Sequence, residues 1–306
     1  MIRGESLSKS FNGVRAIDNL DFEVREKEIF GIVGPDGAGK STLLRMLSTI
    51  LVPDSGDILL HGESIFKNPF SVKERIAYMP QRFGLYEDLS VEENIRFFGR
   101  LFGLGEKEIR EQLPGLYEFS NLGQFSDRLA GNLSGGMKQK LGLACCLVHR
   151  PELILLDEPT NGVDPVSRRE FWKILYTLLG EGVTIIVSTA YLDEAERCSR
   201  VGLMYQGEFI NIDTPAKVKT MTGMPLLEIQ TDNPNLAEDI LKKRKKFSRL
   251  VRTGQSLRIF AEDRKAFTSE IKKVLSDKKI NVKSIREITP GLEDTFVEVI
   301  ARGGVG

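Results

Sequence analysis

Gly34-Pro35-Asp36-Gly37-Ala38-Gly39-Lys40-Ser41-Thr42 is the stretch that decides how this chain is read. Its glycines let backbone N–H groups turn inward around an anion, Lys40 adds a point charge, and the Ser41 hydroxyl is placed to ligate a divalent cation. The residues before it, Ile29-Phe30-Gly31-Ile32-Val33, read as a buried strand. From Lys40 to Ile50 the spacing of Leu43, Leu44 and Leu47 predicts a helix with one apolar face. Strand, glycine-rich loop and helix in that order aim the positive end of the helix at a phosphate group. The expected ligand is a nucleoside triphosphate with Mg²⁺, cradled by Gly34 to Thr42, with Lys40 at the β- and γ-phosphates and Ser41 on the metal.

Two further motifs lie downstream. Leu153-Ile154-Leu155-Leu156-Asp157-Glu158 is an apolar strand ending in two carboxylates, which a parallel sheet would place beside the phosphates. Asp157 is expected to hold Mg²⁺ through water, and Glu158 to orient the attacking water or take its proton. Leu133-Ser134-Gly135-Gly136-Met137 is a second glycine-rich loop and opens a helix running to about Val148.

The remaining residues set bounds. Lys plus Arg and Asp plus Glu balance at 43 each among 306 residues. That balance argues against a broad polyanion-binding surface, and no nucleic-acid partner is expected. The basic run Lys242 to Lys246 reads as a solvated helix end. Cys145, Cys146 and Cys198 show no disulfide or metal spacing and read as core thiols of a reduced, cytoplasmic protein. Met1 to Glu5 is polar and strand-like, so no signal peptide is expected. No apolar run approaches the ~18 residues that would cross a bilayer, so a membrane role must come through a partner.

The pattern divides the chain in two. Residues 1–222 are expected to form an α/β nucleotide-binding domain: alternating antiparallel strands over 1–30, a helical insert within about 86–148 in which 88–131 reads as helix, and buried strands at 153–157 and 183–188. Leu89-Ser90-Val91-Glu92-Glu93 carries a capping signature for the insert. Residues 223–306 read as β-α-β-β-α-β plus a short helix, a small ferredoxin-like α+β domain. In it, strands are expected near 248–252, 256–260 and 280–286, and helices at 235–245, 264–276 and 290–300. Gly303-Gly304-Val305-Gly306 suits a tail or a cut linker.

Taken together, the three motifs in this order resemble the ATP-binding cassette (ABC) family over the whole chain. The resemblance implies a P-loop NTPase of the ABC type, with a RecA-like core, an antiparallel β-subdomain and a helical subdomain. It also implies that Ser134, Gly135 and Gly136 act in trans, on the γ-phosphate held by a second cassette. Gln81, in Tyr78-Met79-Pro80-Gln81-Arg82-Phe83-Gly84-Leu85-Tyr86, matches the glutamine that reaches Mg²⁺ and the attacking water. Two transmembrane permease subunits are expected to dock at the Gln81–Tyr86 loop, whose Phe83, Leu85 and Tyr86 form an apolar tip. Phe11 matches the aromatic residue that stacks on adenine. Catalysis is thereby assigned to Glu158, Gln81 and Lys40, and metal binding to Ser41, Gln81 and Asp157.

Gly34-Pro35-Asp36-Gly37 and Phe83-Gly84-Leu85-Tyr86-Glu87-Asp88 are most similar to ATPase subunits of bacterial ABC-2-type exporters. Thr189-Ala190-Tyr191-Leu192-Asp193-Glu194-Ala195-Glu196 resembles the amino-terminal cassette of tandem multidrug-type exporters. The expected location is peripheral, on the inner face of the cell membrane. One departure stands out: Ala190 occupies the place of the family's γ-phosphate-bonding histidine, as it also would in a variant made to trap ATP. His61 and His149, the two histidines present, lie elsewhere and read as structural. The resemblance therefore implies a cassette that binds ATP well, hydrolyses it slowly in isolation, and pairs with a different cassette. The alternative is a soluble ABC-type ATPase acting on ribosomes or DNA. The first class carries two cassettes and a charged linker; the second carries long coiled coils where only about fifty residues separate Gln81 from Leu133 here.

Overall fold

Strand β1 (Ile2–Phe11) turns back on β2 (Val14–Val24) through Asn12-Gly13, whose φ values of 49° and 81° suit the tight hairpin turn that matches strand twist. In this computed structural model, which describes residues 1–301, that hairpin belongs to a four-stranded antiparallel sheet ordered β2-β1-β4-β5, with β4 at Ser55–Leu60 and β5 at Glu63–Ser64. Gly303 to Gly306 lie outside the described residues.

The second sheet has six strands: β3 (Ile29–Val33), β6 (Ile76–Met79), β7 (Leu153–Asp157), β8 (Thr184–Thr189), β9 (Arg200–Tyr205) and β10 (Glu208–Asp213). Their order is β10-β9-β3-β8-β7-β6, and the ladders β9-β3-β8-β7-β6 are parallel. Every residue of β3, β7 and β8 is buried, as parallel strands covered on both faces require. Helix α1 (Lys40–Leu47) lies between the two sheets: Leu43, Leu44, Met46 and Leu47 share one core with Leu7, Phe22 and Ile58 of the antiparallel sheet and Ile32, Leu155 and Ile186 of the parallel one.

The insert is less helical than its sequence pattern suggests. After α2 (Pro69–Lys73), helix α3 covers Val91–Leu101 and α4 covers Glu106–Ser120. Ser90 and Glu93 form the expected capping box. The helices part at Gly103, whose φ is 83°, and α4 stops at Asn121 in the left-handed region at 57°. Residues 121–134 therefore form turns and two short 3₁₀ helices, Gly123–Phe125 and Ala130–Asn132, rather than continuing the helix. Helix α5 (Gly135–Leu147) then carries Cys145 and Cys146 into the core; burial pushes the Cys146 thiol up to about 12. Helices α6 (Pro165–Gly180) and α7 (Leu192–Ala195) complete this part.

The chain separates into two compact units, 1–212 and 213 onward, ten residues before the boundary its composition suggests. The cause is α8 (Pro215–Thr220), which belongs to the second unit: Thr295 Oγ1 donates to the Lys219 carbonyl at 3.0 Å. The second unit contains β11 (Leu226–Thr231), α9 (Pro234–Lys242), β12 (Val251–Thr253), β13 (Ser256–Phe260), α10 (Arg264–Ser276), β14 (Val282–Ile288) and α11 (Leu292–Ala301). Its sheet is antiparallel in the order β12-β13-β11-β14, and α9 and α10 bury Leu241, Phe267 and Ile271 against Leu227, Ile229 and Leu257. α9 ends three residues earlier than the pattern suggests, and the basic run that follows it is solvated and ion-paired, Lys242 to Glu238 and Lys246 to Glu270.

Candidate active site

The phosphate loop is pressed between β2 and β9. A Cβ on Gly39 would stand 2.4 Å from the Ala16 carbonyl oxygen, and one on Gly34 2.1 Å from that of Met204, so neither position accepts a side chain. Gly37 and Gly39 take φ values of 79° and 110°, which ordinary residues avoid. Gly37 faces open space. Thr42 follows Ser41 into the first turn of α1, half-buried. Phe11 ends β1, just before the hairpin whose returning strand carries Ala16; the residue is 45% exposed, with Lys9 Nζ 5.8 Å from the ring centre.

Parallel pairing of β3, β8 and β7 brings the ends of these strands beside the loop. Lys40, only 4% exposed, donates to the Gly34 carbonyl at 2.8 Å and the Pro35 carbonyl at 3.1 Å, and its Nζ lies 3.3 Å from Glu158 Oε1. Ser41 Oγ donates to Asp157 Oδ1 at 2.9 Å. Gln81 Nε2 donates to Glu158 Oε2 at 2.8 Å. The residues assigned to catalysis and to the metal thus converge from three separate stretches of chain, Lys40-Ser41, Gln81 and Asp157-Glu158.

Asp157 is buried and accepts from two further donors. Ser188 Oγ donates to Oδ1 at 2.7 Å and Tyr78 OH to Oδ2 at 3.4 Å. Burial, and secondarily the Asp157 charge, pushes the Tyr78 phenol up to about 12, which keeps it a neutral donor. Glu158 is turned out of the strand by a left-handed backbone, φ 47°, a strained conformation for a residue with a side chain. Its N–H donates to Ser188 Oγ at 3.0 Å, and Asn161 Nδ2 reaches its carboxylate at 3.3 Å. The sequence alone assigns no role to Tyr78, Ser188 or Asn161. The signal for Ser188 is the hydroxyl pair Ser188-Thr189 after the apolar run Ile185-Ile186-Val187; Tyr78 and Asn161 owe their roles to tertiary placement.

Among the described residues, no group of three or more His, Cys, Asp or Glu side chains is placed to hold a metal ion. A carboxylate and a hydroxyl side by side do suit a hard cation that takes its other ligands from phosphate and water.

Ser134, Gly135 and Gly136 stand apart. Ser134 caps α5, accepting from Met137 N at 3.3 Å. Gly136 packs on Ser167 of α6, where a Cβ would come within 2.5 Å, while Gly135 faces open space. Among the described residues no hydrogen bond or ion pair links these three to Lys40, Asp157 or Glu158. The loop after Gln81 is partly core: Phe83 packs on Phe98 with ring centres 5.0 Å apart and Tyr86 on Phe97 at 4.5 Å, and buried Asn94 bonds the Tyr86 backbone at both N and O. Tyr86 nevertheless remains 48% exposed. Ala190 is exposed at the end of β8 and offers no donor. His61 lies between Glu26 and Glu152, and His149 stacks on Phe102 with ring centres 3.7 Å apart.

A family model described as ABC transporter matches residues 17–161. The Nod factor export ATP-binding protein I of Rhizobium sp. (strain N33) is 35% identical over 97% of this chain and 95% of its own length. The chain belongs to the ABC transporter family. A second relative of this cassette, named "Probable multidrug ABC transporter ATP-binding protein YbhF", from Escherichia coli (strain K12), is 43% identical over 98% of the chain. The cassette spans about half of that relative, 52% of its length. Among solved structures, cbiO1 from Clostridium perfringens, part of the ABC transporter complex cbiONQ, superposes with a TM-score of 0.67 at 30% identity, over 72% of this cassette and 91% of that chain.

Proposed function

We propose that this cassette is the ATP-binding and ATP-hydrolysing subunit of an ABC-2-type exporter, and that its own site is slow because Ala190 stands where a phosphate-bonding donor is needed. The observation that carries the reading is the convergence of Lys40, Gln81 and Glu158 in one hydrogen-bonded group beside the Ser41–Asp157 pair. Lys40 and the loop N–H groups bind the β- and γ-phosphates. Ser41 and Gln81 would offer oxygen ligands to Mg²⁺ and Asp157 would hold it through water; the ion, when bound, would neutralise charge on the phosphates. Glu158 orients the attacking water or accepts its proton, steered by Gln81. Phe11, exposed at the end of β1, stacks on adenine.

The exposed Ser134-Gly135 pair at the start of α5 completes the site of a second cassette, because a helix N-terminus with unhindered backbone N–H groups favours a phosphate. Without a donor at position 190, two identical copies would make two slow sites, so the partner is a different cassette, separate or fused. The length of the Escherichia coli relative, about twice this chain, supports the fused form. Two permease subunits dock at the Gln81–Tyr86 loop, where Tyr86 presents an exposed aromatic edge. No helix among the described residues is long and apolar enough to cross a membrane, so a membrane association passes through those subunits. The location that follows is cytoplasmic and peripheral. The relatives' names, for multidrug and Nod factor export, favour an export role over ribosomes or DNA.

Titration calorimetry tests the nucleotide assignment. Mg-ATP binds the unaltered cassette, and Lys40→Ala weakens it about 10- to 100-fold, the equivalent of ~1.5–3 kcal/mol for hydrogen bonds to a charged group. Unchanged affinity in Lys40→Ala overturns the assignment.

A further inference from the structure

Glu194 is 1% exposed, and its side-chain partners among the described residues are Thr160, Thr189 and Arg168 rather than the phosphate loop or the strand carboxylates. A carboxylate is kept at such a depth only when its oxygens are hydrogen-bonded and its charge is paired. Here the partners come from two turns flanking the reacting centre. Oε1 accepts from Thr160 Oγ1 at 2.6 Å, in the turn that begins at Glu158. Oε2 accepts from Thr189 Oγ1 at 3.0 Å, at the end of β8 immediately before Ala190. Arg168 of α6 supplies the counter-charge, with Nε 3.3 Å from Oε1.

The contacts continue outward from both ends. Thr189 Oγ1 accepts from Tyr191 N at 2.9 Å, which fixes the backbone around Ala190. The Arg168 guanidinium lies over the Tyr191 ring, 4.5 Å from its centre. Tyr191 OH is 3.5 Å from Asn161 Oδ1, and Asn161 Nδ2 is 3.3 Å from Glu158 Oε2. A closed ring of contacts therefore runs from Glu194 through both turns to the carboxylate that handles the water.

We propose that Glu194 is a positioning residue for ATP hydrolysis: it ties the turn carrying Glu158 to the turn carrying Ala190 and so sets where the Glu158 carboxylate stands. The proposal rests on the ATPase reading above. A rigid spacing matters most here because Glu158 already holds a strained backbone and position 190 gives the water no support of its own. Glu194 does not touch nucleotide, so its loss affects the chemical step and leaves ground-state binding alone.

The test compares Glu194→Gln, Thr160→Val and Thr160→Ser with the unaltered chain, reading Mg-ATP affinity, kcat, KM and thermal melting for each. Gln keeps the shape of Glu194 but loses the charge and one of the two acceptors. Val keeps the shape of Thr160 but loses the hydroxyl. The expected result for Glu194→Gln and Thr160→Val is a kcat lower by ~10- to 100-fold at unchanged ATP affinity and KM. Thr160→Ser is expected to recover most of what Thr160→Val loses. If Glu194→Gln fails to fold, the Thr160 pair decides alone. Unchanged kcat in well-folded variants overturns the proposal. So does a parallel fall in affinity, melting temperature and kcat, which marks a purely structural role. Glu158→Gln run alongside separates the two levels: if it leaves turnover intact, the ATPase reading itself fails, whereas loss in Glu158→Gln with none in Glu194→Gln or Thr160→Val removes only the positioning role.

Discussion

Glu158 shows how much of this site a single residue holds. Its carboxylate meets Lys40, Gln81 and Asn161, while its N–H is fixed by Ser188. The chemical identity of Lys40, Ser41, Asp157 and Glu158 is legible in the sequence because glycine-rich loops and strand-terminal carboxylates are local patterns. The supports are not local: Tyr78 lies 79 residues from Asp157, and Ser188 lies 31 from it. Only the sheet order brings them together. Ala190 is the legible departure, and it carries a rate prediction. Removing one preorganised donor from a developing charge costs about 10²–10³ in rate, or ~3–4 kcal/mol. Ala190→His is therefore expected to raise the turnover of the isolated chain by at least ~10-fold, measured by steady-state phosphate release. No increase in Ala190→His, together with brisk turnover in the unaltered chain that Glu158→Gln abolishes, shows that another donor already serves the site.

At the scale of elements, apolar runs and caps mark β3, β7, β8 and the start of α3 well. Where the pattern reads too much helix, at 88–131, the breaks come from Gly103 and Asn121, whose left-handed backbones end a helix that side-chain periodicity alone would continue. The Asn12-Gly13 turn places Phe11 near the returning strand. The unit boundary is not local information, because α8 is assigned by what it packs against.

In the second unit, Glu228 of β11 accepts from Arg286 Nε at 2.9 Å and Nη2 at 2.6 Å, and also from Arg258 at 3.4 Å. The Arg286 hydrogen bonds are the chief cause that holds this nearly buried carboxyl below the usual range. A depressed folded value contributes stability above the ordinary carboxylate range, and that contribution is lost as pH falls through the folded value. Glu228→Gln is expected to cost ~1–3 kcal/mol at neutral pH and to flatten the acid dependence, read by amide hydrogen exchange in β11 and β14 at pH 7 and in acid. Equal protection and equal pH dependence in Glu228→Gln contradict this account.

On the scale of the whole molecule, the proposed function has the cassette carry half of each of two sites. It contributes Lys40, Gln81, Glu158 and the donor-poor Ala190 position to one, and the Ser134-Gly135 helix start to the other. In that proposal, pairing with a cassette that has a working donor would make one slow site, able to stay closed on ATP, and one that cycles. The most direct test is ATPase turnover of the reconstituted pair, whether separate or fused, with each half of this chain's contribution altered in turn. Ser134→Arg is predicted to abolish turnover, because it blocks the working site, while Glu158→Gln is predicted to reduce it far less. Equal loss from the two substitutions would contradict the asymmetric account and describe a symmetric ATPase instead.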